Sequence, residues 1–95
     1  MSSGKRSGGD GAADAGRLTS MAGVHRGEVF RVQRILFDEL RRLCDRLDLH
    51  EGDVVECLAD AGPLLVLETA GGRTVALERD WARFVRVASL GDRRS

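Results

Sequence analysis

Between residues 53 and 77 the chain alternates short apolar runs with glycine-marked turns, a pattern that suits antiparallel β-structure and little else. Asp53-Val54-Val55-Glu56-Cys57-Leu58 reads as one strand. Asp60-Ala61-Gly62-Pro63 reads as a turn, because Gly62 and Pro63 both interrupt regular structure. Leu64-Leu65-Val66-Leu67-Glu68-Thr69 is nearly all apolar, which predicts a strand buried on both faces. Gly71-Gly72 is a hairpin signal, since tight hairpin turns need positive φ. Arg73-Thr74-Val75-Ala76-Leu77 is the returning strand.

The flanking segments extend this pattern. Residues 27–35 are β-branched and roughly alternating, so they predict a first strand. Phe37, Leu40, Cys44 and Leu47 then recur at helical spacing, with Leu36 and Leu43 widening the apolar stripe. The opposite face carries Glu39, Arg41, Arg42, Asp45 and Arg46, and two i,i+4 pairs are expected, Asp38 with Arg42 and Arg41 with Asp45. This helix should run about three turns and end near Asp48. Beyond the hairpin, Arg79 to Arg83 suggest a single helical turn with Asp80 as its cap. Phe84-Val85-Arg86-Val87 is a last short strand. The fold class is therefore mainly β with one α-helix between strands 1 and 2. Five short strands suggest a small closed SH3-like barrel in which the last strand pairs with the first, because an open sheet would leave two edges exposed. Val55, Cys57, Val66, Val75 and Leu77 are the expected interior residues.

Residues 1–23 are rich in Gly, Ser, Ala and Asp, with only Leu18 and Met21 as large apolar side chains. Such a segment offers too little burial to offset its ordering entropy. It is expected to be a disordered tail, with Met21 a candidate alternative start. Order is expected over 24–88, with 89–95 a second disordered tail. The formal net charge is zero, and residues 24–88 carry ten arginines against twelve acidic residues. Nucleic acid is thus not the default partner. Two cysteines are too few for a disulfide-stapled secreted domain. No apolar run is long enough to span a membrane, and no signal peptide is evident, so the cytoplasm is the expected compartment.

Three segments in register resemble the FeoA family of ferrous-iron transport accessory proteins. Leu47-Asp48-Leu49-His50-Glu51-Gly52-Asp53-Val54-Val55-Glu56-Cys57 is similar to that family's helix-to-strand turn. Gly62-Pro63-Leu64-Leu65-Val66 resembles its next turn and strand, and Gly72 to Ala82 its glycine, Ala-Leu and small-residue segment. Two positions depart from the family pattern. Asp48 stands where glycine is usual, at a site that calls for positive φ, and Glu51 stands where proline is common. The resemblance implies a non-enzymatic interaction module whose partner is the cytoplasmic GTPase domain of a FeoB-type membrane permease.

The residues themselves point the same way. A domain this small leaves little room for a deep active-site cavity. It has no nucleophile elbow, no phosphate-binding glycine loop and no tyrosine. Arg41, Arg42 and Arg46 could bind phosphate or an acidic partner, although a solvated helix face is the preferred reading. Trp81 could be a partner hot spot, although a core plug at one end of the barrel is preferred. His50, Glu51 and Asp53 could form a weak surface site for Fe2+ or another divalent transition metal, against the preferred reading of a solvated turn. Cys44 and Cys57 lack paired ligand spacing and read as buried core residues. Two alternatives stay open. One is a regulatory domain like the SH3-like domain of iron-dependent repressors. The other is a small nucleic-acid-binding barrel, suggested by the Gly52-Asp53-Val54-Val55 strand start.

Overall fold

The computed structural model describes residues 18–92. Strand β1 (Thr19–Ser20) leads through a 3-10 turn (Met21–Gly23) into β2 (Glu28–Ile35), then α1 (Asp38–Arg46). Strands β3 (Val54–Ala61), β4 (Leu64–Glu68) and β5 (Thr74–Glu78) follow as a meander. The short helix α2 (Arg79–Ala82) and β6 (Val85–Asp92) complete the described fold. The six strands form one antiparallel sheet in the order β1-β6-β2-β3-β4-β5. None of the described helices is long and apolar enough to cross a membrane.

The expected pairing of the last strand with the first long one is present, since β6 lies against β2 along most of its length. The ring is nonetheless not closed, and it has six strands rather than five. The two-residue β1 takes the side of β6 that faces away from β2, so the edges left apart are β1 and β5, and these do not pair. Arg79, the first residue of α2, spans the opening with its side chain. Its Nε donates to Gly62 O at 2.8 Å, and its guanidinium also reaches Ala22 O and the Asp60 carboxylate. One cation thus ties the 3-10 turn to the β3–β4 turn. Asp80 does not cap α2. Glu78 occupies that position without a side-chain bond, and Asp80 lies in the first turn.

Residues 19–23 and 89–92, expected to belong to disordered tails, are part of the fold. Thr19–Ser20 pairs with β6, and Met21 is only 1% exposed in the main core. Ser20 Oγ accepts from Ala22 N–H at 3.0 Å and caps the 3-10 turn. A two-residue strand has no periodicity to detect, so composition alone misassigned it. At the other end, Ser89 to Asp92 continue β6 against Glu28, Val29 and Phe30. The rest of the two expected tails, 1–17 and 93–95, lies outside the described residues.

Alternation along β2 buries Phe30, Val32 and Ile35. A bulge between Val32 and Arg34 inserts one residue, so Gln33 and Arg34 both point outward before the inward phase resumes at Ile35. In α1, Leu40 and Cys44 are buried one turn apart and face the sheet. Leu40 is fully buried, and burying such a side chain contributes about 1.5–3 kcal/mol. Phe37 does not join this stripe. It stands at the helix N-cap and is 49% exposed. Leu65 and Leu67 fill the interior from β4, whereas Val66 is half-buried and Leu64 exposed. The strand is therefore buried on one face only, and Val66 is not the interior residue that was expected. Val55, Cys57, Val75 and Leu77 do face the core. Ala82 is fully buried, which lets α2 lie close to the sheet.

Candidate partner-binding groove

Helix α1 ends in a Schellman arrangement, which sets the geometry of the whole site. Leu49 N–H donates to Cys44 O at 2.8 Å and Asp48 N–H to Asp45 O at 3.1 Å. The motif requires a left-handed residue, and Asp48 supplies it with φ 65°. The reversal drops Leu49 into the core and carries His50 and Glu51 back alongside the helix. Gly52, at φ 95°, then turns the chain into β3.

An open groove of about 440 Å³ results. Ile35 and Leu49, both buried, form its floor. Asp38, Arg41, Arg42 and Asp45 line it from one face of α1, at the three- and four-residue spacing of a helical stripe. His50 and Glu51 line the facing loop.

Two ionic clusters hold this groove open. On one side, Glu51 Oε2 accepts from Ile35 N–H at 2.9 Å and meets Arg41 Nη1 at 3.1 Å. Arg41 Nη2 donates to Ile35 O at 2.9 Å. The bond from the Ile35 amide, followed by Arg41, holds the Glu51 carboxyl below its ordinary range. On the other side, His50 Nε2 lies 2.9 Å from Asp45 Oδ1, with Asp53 Oδ2 at 3.4 Å and Asp48 Oδ1 at 4.0 Å from Nδ1. The hydrogen bond to Asp45, with further help from Asp53, raises the His50 imidazole above its ordinary value. The Arg41–Asp45 pair expected from spacing is replaced by these contacts, because Arg41 turns to Glu51 and Asp45 to His50, and the expected Asp38–Arg42 pair is not formed either.

The sequence-derived site residues are only partly brought together. Arg41 and Arg42 share the groove, whereas Arg46 is exposed on α1 outside its lining. Trp81 lies on α2, half-buried against the core, as a plug would. His50 and Asp53 are adjacent, but Glu51 points to Ile35 and Arg41 instead of joining them. Among the described residues no group of three or more His, Cys, Asp or Glu side chains is arranged to hold a metal. The three residues suggested as donors for Fe2+ are therefore not gathered into one group, because Glu51 faces away from His50 and Asp53. Both cysteines are free and buried, and burial pushes the Cys44 thiol up to about 11. The apolar floor was not read from sequence, because Ile35 and Leu49 belong to different elements that meet only in the fold.

A family profile described as the FeoA domain matches residues 19–89. No curated protein matches the chain significantly. Among solved structures, the fold is similar to a crystal structure of an iron uptake regulatory protein (FeoA), at 22% identity and TM-score 0.69, covering 78% of this chain and 99% of that one. It is also similar to a FeoA-like protein from Clostridium acetobutylicum, at 18% identity and TM-score 0.71, covering 78% and 88%. A manganese-dependent transcriptional repressor matches at 18% identity and TM-score 0.71, over 77% of this chain but only 41% of the repressor.

Proposed function

From the premise that this chain belongs to the FeoA family, we propose that it is a non-enzymatic accessory of ferrous-iron uptake that docks on the cytoplasmic GTPase domain of a FeoB-type permease through the α1 groove. The groove itself carries this reading. Its floor is apolar, and two ion-paired clusters fix its walls. Arg42, on its rim, makes no ion pair among the described residues. A desolvated apolar centre with a free guanidinium at the edge is the composition of a protein-binding surface. The chain would then act by binding, on the cytoplasmic side where the GTPase domain lies. Iron would pass through the permease.

Calorimetric titration of the full chain against the soluble GTPase domain of the cognate permease tests this. Binding is expected, and Arg42→Glu should weaken it by about tenfold through lost charge complementarity. No heat of binding at high micromolar concentrations would overturn the reading.

The likeness to a repressor supports a second reading, a regulatory domain acting in trans with a separate DNA-binding domain. Co-purification with a helix-turn-helix protein, and not with the permease, would favour it.

A further inference from the structure

Arg34 and Arg86 are directly paired across β2 and β6, so both side chains leave the same face of the sheet. The bulge after Val32 is what aims Arg34 outward. At the end of this pairing Leu36 N–H donates to Phe84 O at 3.1 Å. Phe37 meets Phe84 edge to face, with ring centroids 5.0 Å apart. The Arg83 guanidinium lies 5.6 Å from the centroid of the Phe84 ring, and Arg86 Nη1 donates to Arg83 O. Leu36 and Phe37 are 39% and 49% exposed. The result is an outward patch of Leu36, Phe37 and Phe84 bordered by three arginines.

Folding leaves this patch unsatisfied in two ways. Like charges directly opposite on a sheet are unfavourable. Arg34, Arg83 and Arg86 make no ion pair among the described residues. Glu51, the carboxylate that feels Arg34, is already bonded to Arg41 and the Ile35 amide. Leu36 and Phe37 meanwhile stay exposed, with Phe84 half-buried beneath them.

We propose that this face docks an acidic peptide segment carrying a large apolar side chain, which would set its carboxylates against Arg34 and Arg86 and its apolar group against Phe37 and Phe84. Aromatic and arginine side chains side by side are typical of interface centres. The charge is local. Twelve acidic residues over 24–88 would repel a long phosphate backbone or a lipid surface, whereas a short segment meets only the three arginines. The proposal is independent of the α1 groove and of the permease.

Fluorescence anisotropy of a short dye-labelled Glu- and Phe-rich peptide, titrated with the full chain at low salt, provides the test. The wild-type chain should bind it, and a peptide with Lys in place of Glu should not bind. Arg34→Glu with Arg86→Glu should weaken binding by at least about tenfold, as should Phe37→Ser alone. Arg34→Lys with Arg86→Lys should retain most of it. Phe37→Ser and Arg83→Ala alter only exposed side chains or half-buried rims, and they decide the matter if the charge reversal does not fold. No binding by the wild type, equal binding of the Lys peptide, or binding only of a polyadenylate RNA or of phosphatidylserine vesicles would overturn the proposal. Loss with Arg42→Glu but not with the Arg34 and Arg86 reversal would overturn it too, by moving the site to the groove.

Discussion

Asp48 Oδ2 accepts a hydrogen bond from Thr69 Oγ1 at 3.2 Å, tying the end of α1 to the β4–β5 turn. Thr69 is the one buried polar residue among those described, 4% exposed, and its Oγ1 also accepts from Arg73 N–H at 3.1 Å. The bond explains why an aspartate can stand at φ 65°, where glycine would be easier. Asp48→Ala keeps the unfavourable φ and strips Thr69 of its acceptor, so a loss of about 1–2 kcal/mol is expected. Asn tolerates the left-handed region and keeps an acceptor, so Asp48→Asn should stay within about 0.5 kcal/mol of the parent. Urea unfolding followed by circular dichroism measures both. Equal effects of Ala and Asn would remove the bond from the explanation.

The same carboxylate explains Gly71. A Cβ added there would lie 2.7 Å from Asp48 Oδ2. Gly71 itself does not have positive φ, so the constraint is space and not backbone freedom. Gly71→Ala should cost about 1 kcal/mol by forcing the aspartate off Thr69. Against an Asp48→Gly background the obstructing atom is gone, and most of that cost should vanish. The double-mutant cycle reads the coupling directly. Strictly additive effects would show that the clash is relieved elsewhere.

Much of the sheet was legible because its turns carry glycine and its strands alternate. Where alternation was missing, legibility failed. Leu64-Leu65-Val66-Leu67 has no polar residue to set its phase, so Val66 was assigned inward where Leu65 and Leu67 are. Thr19–Ser20 was invisible because its pairing with Val87 and Arg86 is long-range. In the groove, spacing placed Arg41 and Arg42 correctly on one helical face, yet it assigned Arg41 and Asp45 to each other. Only the fold shows that the Schellman turn brings Glu51 and His50 back to compete for them. The openness of the sheet traces to β1, which no local pattern reveals and which occupies the outer side of β6.

Glu51 acts as a side-chain bridge where a proline could only have shaped the turn. Removing it with Glu51→Ala leaves the Ile35 amide without its acceptor, at a cost of about 1 kcal/mol after allowing for the solvent exposure of the Arg41 pair. Because the folded carboxyl titrates below its ordinary value, the folded state binds that proton less readily than the unfolded chain does. Its stabilisation is therefore complete above the ordinary glutamate range and is lost as pH falls through the folded value. The stability difference between parent and Glu51→Gln should shrink with acidification. A difference that grows toward low pH would contradict the assigned bond.

His50 should show the opposite sign. Its folded value lies above the ordinary 6.5, so the contribution of the protonated imidazole is complete below that value and is lost as pH rises through the folded one. Asp45 is the first cause, through its bond to Nε2, followed by the charge and bond of Asp53, while partial desolvation by the loop works against both. The order of these causes makes a sharp test by proton NMR of the imidazole. Asp45→Asn should bring the His50 titration back toward 6.5, and Asp53→Asn, whose carboxylate lies at 3.4 Å against 2.9 Å for Asp45, should move it less. Both aspartates are accessible from solvent, so neither change should disturb the core. If Asp53→Asn has the larger effect, the Asp45 contact is not the one that holds the ring, and the His50 wall of the groove is arranged differently from the geometry above.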